Sequence, residues 1–159
     1  MNLNLRSILT AGLLLGMGVA LTWSQTAPSQ AADAKDKPQT GVPVEPDMHE
    51  FMEYVFQPTY RRLKMSLAAE PDNNQIWKAI KSDSLILAEG GNLLLLHKPE
   101  NSRTDWDQHS IQVRQFGGQL YKTAKAKDFK ASKAHFESML KNCNACHKQF
   151  DNGKHQLKP

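Results

Sequence analysis

Cysteine is scarce in this chain, which limits how the fold can be held together. Only two cysteines occur among 159 residues, at positions 143 and 146. A framework of several disulfides, of the kind that staples small secreted domains, is therefore excluded. Long hydrophobic runs are also lacking after residue 31. A membrane-spanning helix needs about 20 apolar residues, so no transmembrane segment is expected in that part of the chain.

Arginine clusters interleaved with aromatic residues, which mark many nucleic-acid-binding surfaces, are missing as well. Aromatic residues make up 8% of the chain and the formal net charge is only +4. We therefore expect no nucleic-acid partner. No segment alternates convincingly between apolar and polar residues at a period of two, so the sequence predicts no β-sheet.

The first 31 residues have the order of parts typical of a secretory signal peptide. A short start carrying Arg6 precedes an uncharged apolar stretch over residues 8–21. Small residues follow, and 29–31 and 32–34 both fit an A-x-A-like cleavage site. We predict cleavage between Ala31 and Ala34, and a periplasmic or otherwise exported protein without membrane attachment. An uncleaved leader acting as a membrane anchor is the alternative, although the apolar run is short for a span.

Two polar segments flank the part of the chain that has a helical pattern. Residues 32–46 contain three prolines and a glycine and are predicted to form an extended linker. Residues 152–159 are predicted to be a polar tail that frays. The folded domain is expected to cover residues 47–151.

Apolar residues recur at helical spacing in four stretches of that domain. The predicted helices run from Asp47 to Ala69, Asn74 to His97, Thr104 to Ala126 and Phe129 to Phe150. Short connections favour antiparallel neighbours, so the predicted fold is all-α, an antiparallel four-helix bundle.

Three local features interrupt these helices. Pro58 removes a backbone donor and is expected to kink or break the first helix. The pair Gly90-Gly91 predicts a close helix crossing or a local break, because glycine costs about 1 kcal/mol against alanine in a helix, and the third helix also contains a pair, Gly117-Gly118. The inward stripe of the first helix is predicted to consist of Met48, Met52, Val55, Thr59, Leu63 and Leu67.

Both cysteines belong to one short motif, Cys143-Asn144-Ala145-Cys146-His147. On a helix, positions i, i+3 and i+4 share one face, so both thiols and the imidazole lie together. The spacing is that of a c-type haem attachment site, in which the two sulfurs add to the haem vinyl groups as thioethers. His147 would then supply the proximal nitrogen ligand of the iron.

Three other interpretations of the motif compete. A Cys-x-x-Cys thiol redox pair usually opens a helix after a strand, whereas this pair lies late in a helical chain. A structural zinc site needs four ligands, and no second ligand pair is evident. A simple structural disulfide suits an exported protein but does not explain the adjacent His147.

A haem motif near the C-terminus of a four-helix chain resembles the class II cytochromes c, the cytochrome c-prime family. The resemblance covers residues 47–151. Phe150, three residues after His147, and Trp106 near the start of the third helix also fit it. Asp151 departs from it, because family members often have Arg or Lys at that position.

The resemblance implies one covalent haem c on the C-terminal helix and a distal position supplied by the first helix. That position falls at or near Met52, whose thioether is a soft ligand suited to haem iron. Met48 and then His49 are weaker alternatives, and plain core packing is the ordinary role of such a methionine. Phe51, Phe56 and Phe150 are expected to line the haem pocket.

Two functions follow from the two states of the distal position. With Met52 bound, the protein would be a low-spin electron carrier between redox partner proteins, and not an enzyme. With no side chain bound and Phe51, Met52 or Phe56 covering the iron, it would bind nitric oxide or carbon monoxide. The resemblance also makes a homodimer possible.

The other charged and imidazole side chains are expected to be mostly solvated. His97, His109, His135 and His155 are each predicted to face water. A basic run could instead dock to an acidic redox partner; it consists of Lys122, Lys125, Lys127, Lys130 and Lys133.

Overall fold

The computed structural model describes residues 41–101 and 103–159, and the leader with its cleavage positions lies outside these ranges. The described residues form four helices and no strand. Helix α1 covers residues 48–66, α2 is Asn74–Leu94, α3 is Arg103–Lys125 and α4 is Phe129–Phe150. The all-helical prediction is confirmed, with each predicted helix end within three residues of the observed one. None of the described helices is both long and apolar enough to cross a membrane.

Side-chain caps explain why three of the helices begin where they do. The Asp47 carboxylate accepts from the backbone N–H of Glu50 at 3.0 Å. The Asn73 amide oxygen caps α2 in the same way, and Asp128 caps α4. Each cap satisfies a backbone donor that the first turn leaves without a helical partner.

Pro58 neither breaks α1 nor leaves it regular. The helix has three consecutive parts: α-helical Met48–Phe51, a π-helical segment Met52–Phe56, and α-helical Gln57–Ser66. The backbone N–H of Gln57 bonds to the carbonyl of Met52, five residues back. The wider π-helical turn absorbs the distortion just before the proline, where one backbone donor is missing.

One glycine of each pair marks a close crossing of α2 and α3, and neither pair breaks its helix. A Cβ atom on Gly91 would lie 2.6 Å from the backbone nitrogen of Arg114. A Cβ on Gly117 would lie 2.8 Å from the backbone nitrogen of Ala88. Only glycine lets two helix backbones approach this closely at these positions.

The backbones of the first and last helices do not come close to each other. No Cα atom of residues 48–66 lies within 8 Å of a Cα atom of Phe129–Phe150. Side chains span the distance, as where the rings of Tyr60 and Phe136 stack with centroids 6.4 Å apart. The buried residues below this gap form the main core: Leu63, Leu67, Trp77, Ile80, Leu87, Leu120, Ala124, Phe136, Met139 and Leu140.

Candidate functional site

A second, smaller apolar cluster lies at the end of the bundle where α1 and α3 begin and α2 and α4 end. Its buried members are Phe51, Leu94 and Trp106. We call it the motif-end cluster, because the side chains packed against it include Cys146. The others are Met48, Met52, Val55, Phe56 and Phe150, and all six are only partly buried.

The helical geometry of α4 directs the two cysteines toward apolar surroundings. Cys143 packs against the main core and Cys146 against the motif-end cluster. Burial raises the pKa of the Cys143 thiol to about 12, with a smaller contribution from neighbouring Cys146. Burial alone raises the pKa of Cys146 to about 11. Both groups are therefore neutral thiols near neutral pH, and neither is bonded to the other.

These surroundings argue against a thiol redox pair. Reactive cysteines of that class have lowered pKa values, helped by the N-terminus of a helix or by nearby cations. Cys143 and Cys146 lie in the last two turns of α4 and their pKa values are raised. The zinc alternative gains no support either, since the described residues contain no group of three or more His, Cys, Asp or Glu placed to hold a metal ion.

The imidazole of His147 is held by a backbone acceptor. Its Nδ1 lies 2.9 Å from the carbonyl oxygen of His155. A carbonyl only accepts, so Nδ1 carries the proton and the lone pair of the neutral ring lies on Nε2. This is the arrangement typical of metal-binding histidines, which donate their second ring N–H to a neighbouring oxygen.

Two methionines from α1 reach the same cluster as Cys146. Met52 and Met48 are one turn apart on the predicted stripe, and both are partly buried against the motif-end cluster. Lower on the stripe Thr59, Leu63 and Leu67 are fully buried. The side chains of the stripe are thus fully buried beside the main core and only partly buried at the motif end. His49 faces solvent, with its side chain 73% exposed.

The aromatic residues predicted to line a pocket all lie at this cluster. Phe51 meets Phe56 edge-on at 5.5 Å, and Phe150 meets Trp106 edge-on at 5.1 Å. The indole N–H of Trp106 donates to the carbonyl of Leu94 at 2.7 Å, which satisfies the one polar group of a buried ring. The cluster is therefore lined by apolar rings, and the indole N–H of Trp106 has a hydrogen-bond partner.

The prediction of a frayed C-terminal tail is wrong. The Asn144 amide bonds to both backbone groups of Leu157, and the Tyr60 hydroxyl donates to the carbonyl of Lys158 at 2.7 Å. Leu157 also packs against the main core. The sequence shows no helical period here, and the partners of the tail are far away in the chain.

Two of the four histidines expected in water are instead packed and bonded. His97 stacks on Phe51 with ring centroids 4.6 Å apart, and its Nε2 lies 2.8 Å from the carbonyl oxygen of Glu45. His109 bonds to Asn142, which links α3 to α4. Residues 41–46 contain no helix, and His97 bonds to them at Glu45, whereas residues 32–40 of the predicted linker lie outside the described ranges. His155 is exposed and His135 partly so.

The five lysines of the basic run are all exposed, as expected, and surround the turn from α3 to α4. That turn is at the opposite end of the bundle from the motif. From Lys130 to Cys143 the helix rises about 20 Å, at about 1.5 Å per residue. The basic surface and the motif are therefore two separate regions of the molecule.

The donor set at the motif end fits a haem c better than a free metal ion. A haem iron needs only axial ligands from the protein, so one imidazole and one thioether suffice. The described site offers two neutral thiols, an imidazole with Nε2 available, two methionines and apolar walls. The sequence motif indicates the two thiols and the imidazole, but gives no sign of the His155 carbonyl. No family model, no curated protein and no solved structure matches this chain.

Proposed function

We propose that the chain is an exported class II c-type cytochrome that carries single electrons between redox partner proteins. One haem c would be attached through Cys143 and Cys146, with His147 as the proximal ligand and Met52 as the distal one. The observation that carries the proposal is that α1 and α4 direct Met52 and Cys146 to the same apolar cluster. The backbones of these two helices do not approach each other closely, so the two proposed ligands would come from separate helices.

The thiols and the imidazole have separate tasks in this proposal. Cys143 and Cys146 are protonated thiols, and each would lose its S–H bond as its sulfur and hydrogen add across a vinyl group. His147 follows Cys146 directly and so is held beside the attachment point, with its Nδ1 proton directed to the His155 carbonyl. Nε2 would thus be the nitrogen available to the iron.

The walls of the motif-end cluster favour electron transfer over bond-making chemistry. When bound, the haem would supply a one-electron ferric/ferrous couple. The thioether of Met52 would favour the ferrous state, and the apolar rings of Phe51 and Trp106 would limit access of water.

The position of the motif predicts where a redox partner binds. Electron-transfer rates fall steeply with distance, so the partner would approach the motif end. The lysine run lies about 20 Å away along α4. We therefore place the redox docking surface at the motif end and not at the α3–α4 turn.

Haem attachment is tested by expressing the full chain, including its leader, in cells that attach haem to exported cytochromes. Denaturing electrophoresis with haem staining and mass spectrometry would show one covalent haem in the unchanged protein. Cys143→Ser with Cys146→Ser should abolish it. Ala145→Ser is the matched control, because Ala145 is exposed between the two cysteines and should leave attachment intact. Covalent haem retained in the double serine variant would overturn the proposal.

A further inference from the structure

We propose that the C-terminal tail, residues 152–159, is the positioning element of the proximal ligand. In this proposal the backbone carbonyl of His155 fixes the tautomer and rotation of the His147 ring and so tunes the balance between ferric and ferrous protein. The inference rests on the proposed function for its iron. The anchoring of the tail is a property of the fold itself.

The chain reverses direction directly after α4 to bring the tail back over the motif. Asn152, Gly153 and His155 all have left-handed backbone angles, with φ of 52°, 75° and 54°. The carbonyl of His147 accepts from the N–H groups of Asp151 and Gly153, which ties the turn to the same residue. Left-handed angles cost a histidine energy, so other contacts must hold His155 in place.

The first of these contacts is a pair of hydrogen bonds from Asn144, a residue of the motif, which together clamp the tail. The Asn144 side chain donates from Nδ2 to the Leu157 carbonyl at 2.9 Å and accepts from the Leu157 N–H at 2.7 Å. An amide side chain that pairs with both backbone groups of one residue fixes that residue in rotation as well as position. Asn144 lies between the two cysteines, so the tail is clamped to the haem attachment segment.

The second contact comes from α1, on the other side of the gap. The Tyr60 hydroxyl donates to the Lys158 carbonyl at 2.7 Å and accepts from the Lys158 N–H at 3.2 Å. The Lys64 ammonium donates to the same carbonyl at 3.1 Å. The tail therefore bridges α1 and α4, whose backbones do not approach closely, with Leu157 packed on the main core between the two contacts.

The consequence for the ligand follows from the direction of one hydrogen bond. An Nδ1–H that donates to a fixed carbonyl increases the electron density on Nε2 and raises its basicity. A more basic ligand favours ferric over ferrous iron. Releasing the tail should therefore shift the equilibrium toward the ferrous form, although no residue in contact with the iron has changed.

The test compares haem-loaded variants of the full chain in a fixed redox buffer, with the ferric-to-ferrous ratio read by absorption. Asn144→Ala combined with Tyr60→Phe removes the clamp on Leu157 and both Tyr60 bonds to Lys158, and leaves only the Lys64 bond to the Lys158 carbonyl. It should shift the ratio toward ferrous protein by a factor of about two to ten, the range that one hydrogen bond contributes. In the reduced protein, the Nδ1 proton of His147 should exchange with solvent at least several times faster by NMR.

Two further variants separate positioning from general loosening. His155→Asn keeps the carbonyl and suits a left-handed backbone, so it should leave the ratio and the proton exchange unchanged. Asn144→Ala alone removes only the clamp on Leu157, so it should give a smaller shift and serves if the double variant folds poorly.

The outcomes distinguish this inference from the proposed function. Absence of covalent haem in the unchanged protein overturns the proposed function and the inference with it. Covalent haem with an unchanged ratio and unchanged Nδ1 exchange in the anchor variants overturns the inference alone. A shift of equal size in His155→Asn also overturns it, because the side chain and not the carbonyl would then be responsible.

Discussion

Gly91 of α2 lies directly against the backbone of Arg114 of α3, so close that a Cβ atom would come within 2.6 Å of the Arg114 nitrogen. The same added atom would lie 2.8 Å from the carbonyl oxygen of Ser110. Backbone atoms cannot rotate away as a side chain can. This crossing sets the spacing of α2 and α3, which carry Leu94 and Trp106 to the motif end.

Gly91→Ala should destabilise the protein by about 1–3 kcal/mol, the cost typical of overpacking a core. Denaturant unfolding measures the change in the free energy of unfolding. Gly118→Ala is the matched control, since a Cβ there meets nothing within 4 Å. It should stabilise the protein by up to about 1 kcal/mol through helix propensity. Equal effects of the two substitutions would show that the α2–α3 crossing is not close.

An ion pair between α1 and α2 gives a second prediction. The guanidinium of Arg62 lies 2.7 Å from the carboxylate of Asp83, whose side chain is only 5% exposed. Arg62→Met should cost about 1.5–3 kcal/mol, because the buried carboxylate loses its charged hydrogen-bond partner. Arg61→Met at the exposed neighbouring position is the control and should lie within about 0.5 kcal/mol of the unchanged protein. A similar loss in both variants would contradict a specific role for the Arg62–Asp83 pair.

The raised pKa values of the two thiols predict how the chain behaves before haem is attached. The ordinary cysteine value is 9.0, and burial raises it to about 12 at Cys143 and about 11 at Cys146. Above pH 9 the unfolded chain releases these protons while the folded chain keeps them. The free energy of unfolding should therefore fall with rising pH, by up to about 1.4 kcal/mol per unit for each thiol.

Unfolding of the haem-free full chain between pH 8 and pH 11 checks this, with the Cys143→Ser, Cys146→Ser chain as control. The difference between the two plots of unfolding free energy against pH gives the part of the fall that the thiols cause. Alkylation at pH 8 should also be about a hundredfold or more slower than for a small cysteine peptide, since the reactive thiolate is scarce. If the two chains lose stability equally with rising pH and the thiols react as fast as those of the peptide, the thiols are not buried.

Local features of the fold could be predicted from the sequence because their causes are local. Asp47 and Asp128 cap helices through residues three positions away, and the Gly90-Gly91 pair indicates a close crossing by composition alone. Pro58 predicts a distortion. No local pattern in the sequence records that this distortion takes a π-helical form.

The parts of the site that were missed depend on contacts between distant residues. Tyr60 and Lys158 are 98 positions apart, and His97 and Glu45 are 52 apart. No periodic pattern or motif in the sequence points to either pairing, so the sequence predicts a frayed tail and a solvated His97. The motif indicated His147 as a ligand, but its hydrogen bond to the His155 carbonyl depends on a turn built from three left-handed residues.

The central claim is that α1 supplies a sulfur ligand to a haem held by α4. The most direct measurement is the absorption spectrum of the ferric, haem-loaded protein at neutral pH, compared with its Met52→Ala and Met48→Ala variants. We predict a sulfur-to-iron charge-transfer band and a low-spin spectrum, lost in Met52→Ala and kept in Met48→Ala. A five-coordinate, high-spin spectrum in the unchanged protein would contradict the claim and favour a gas-binding protein instead.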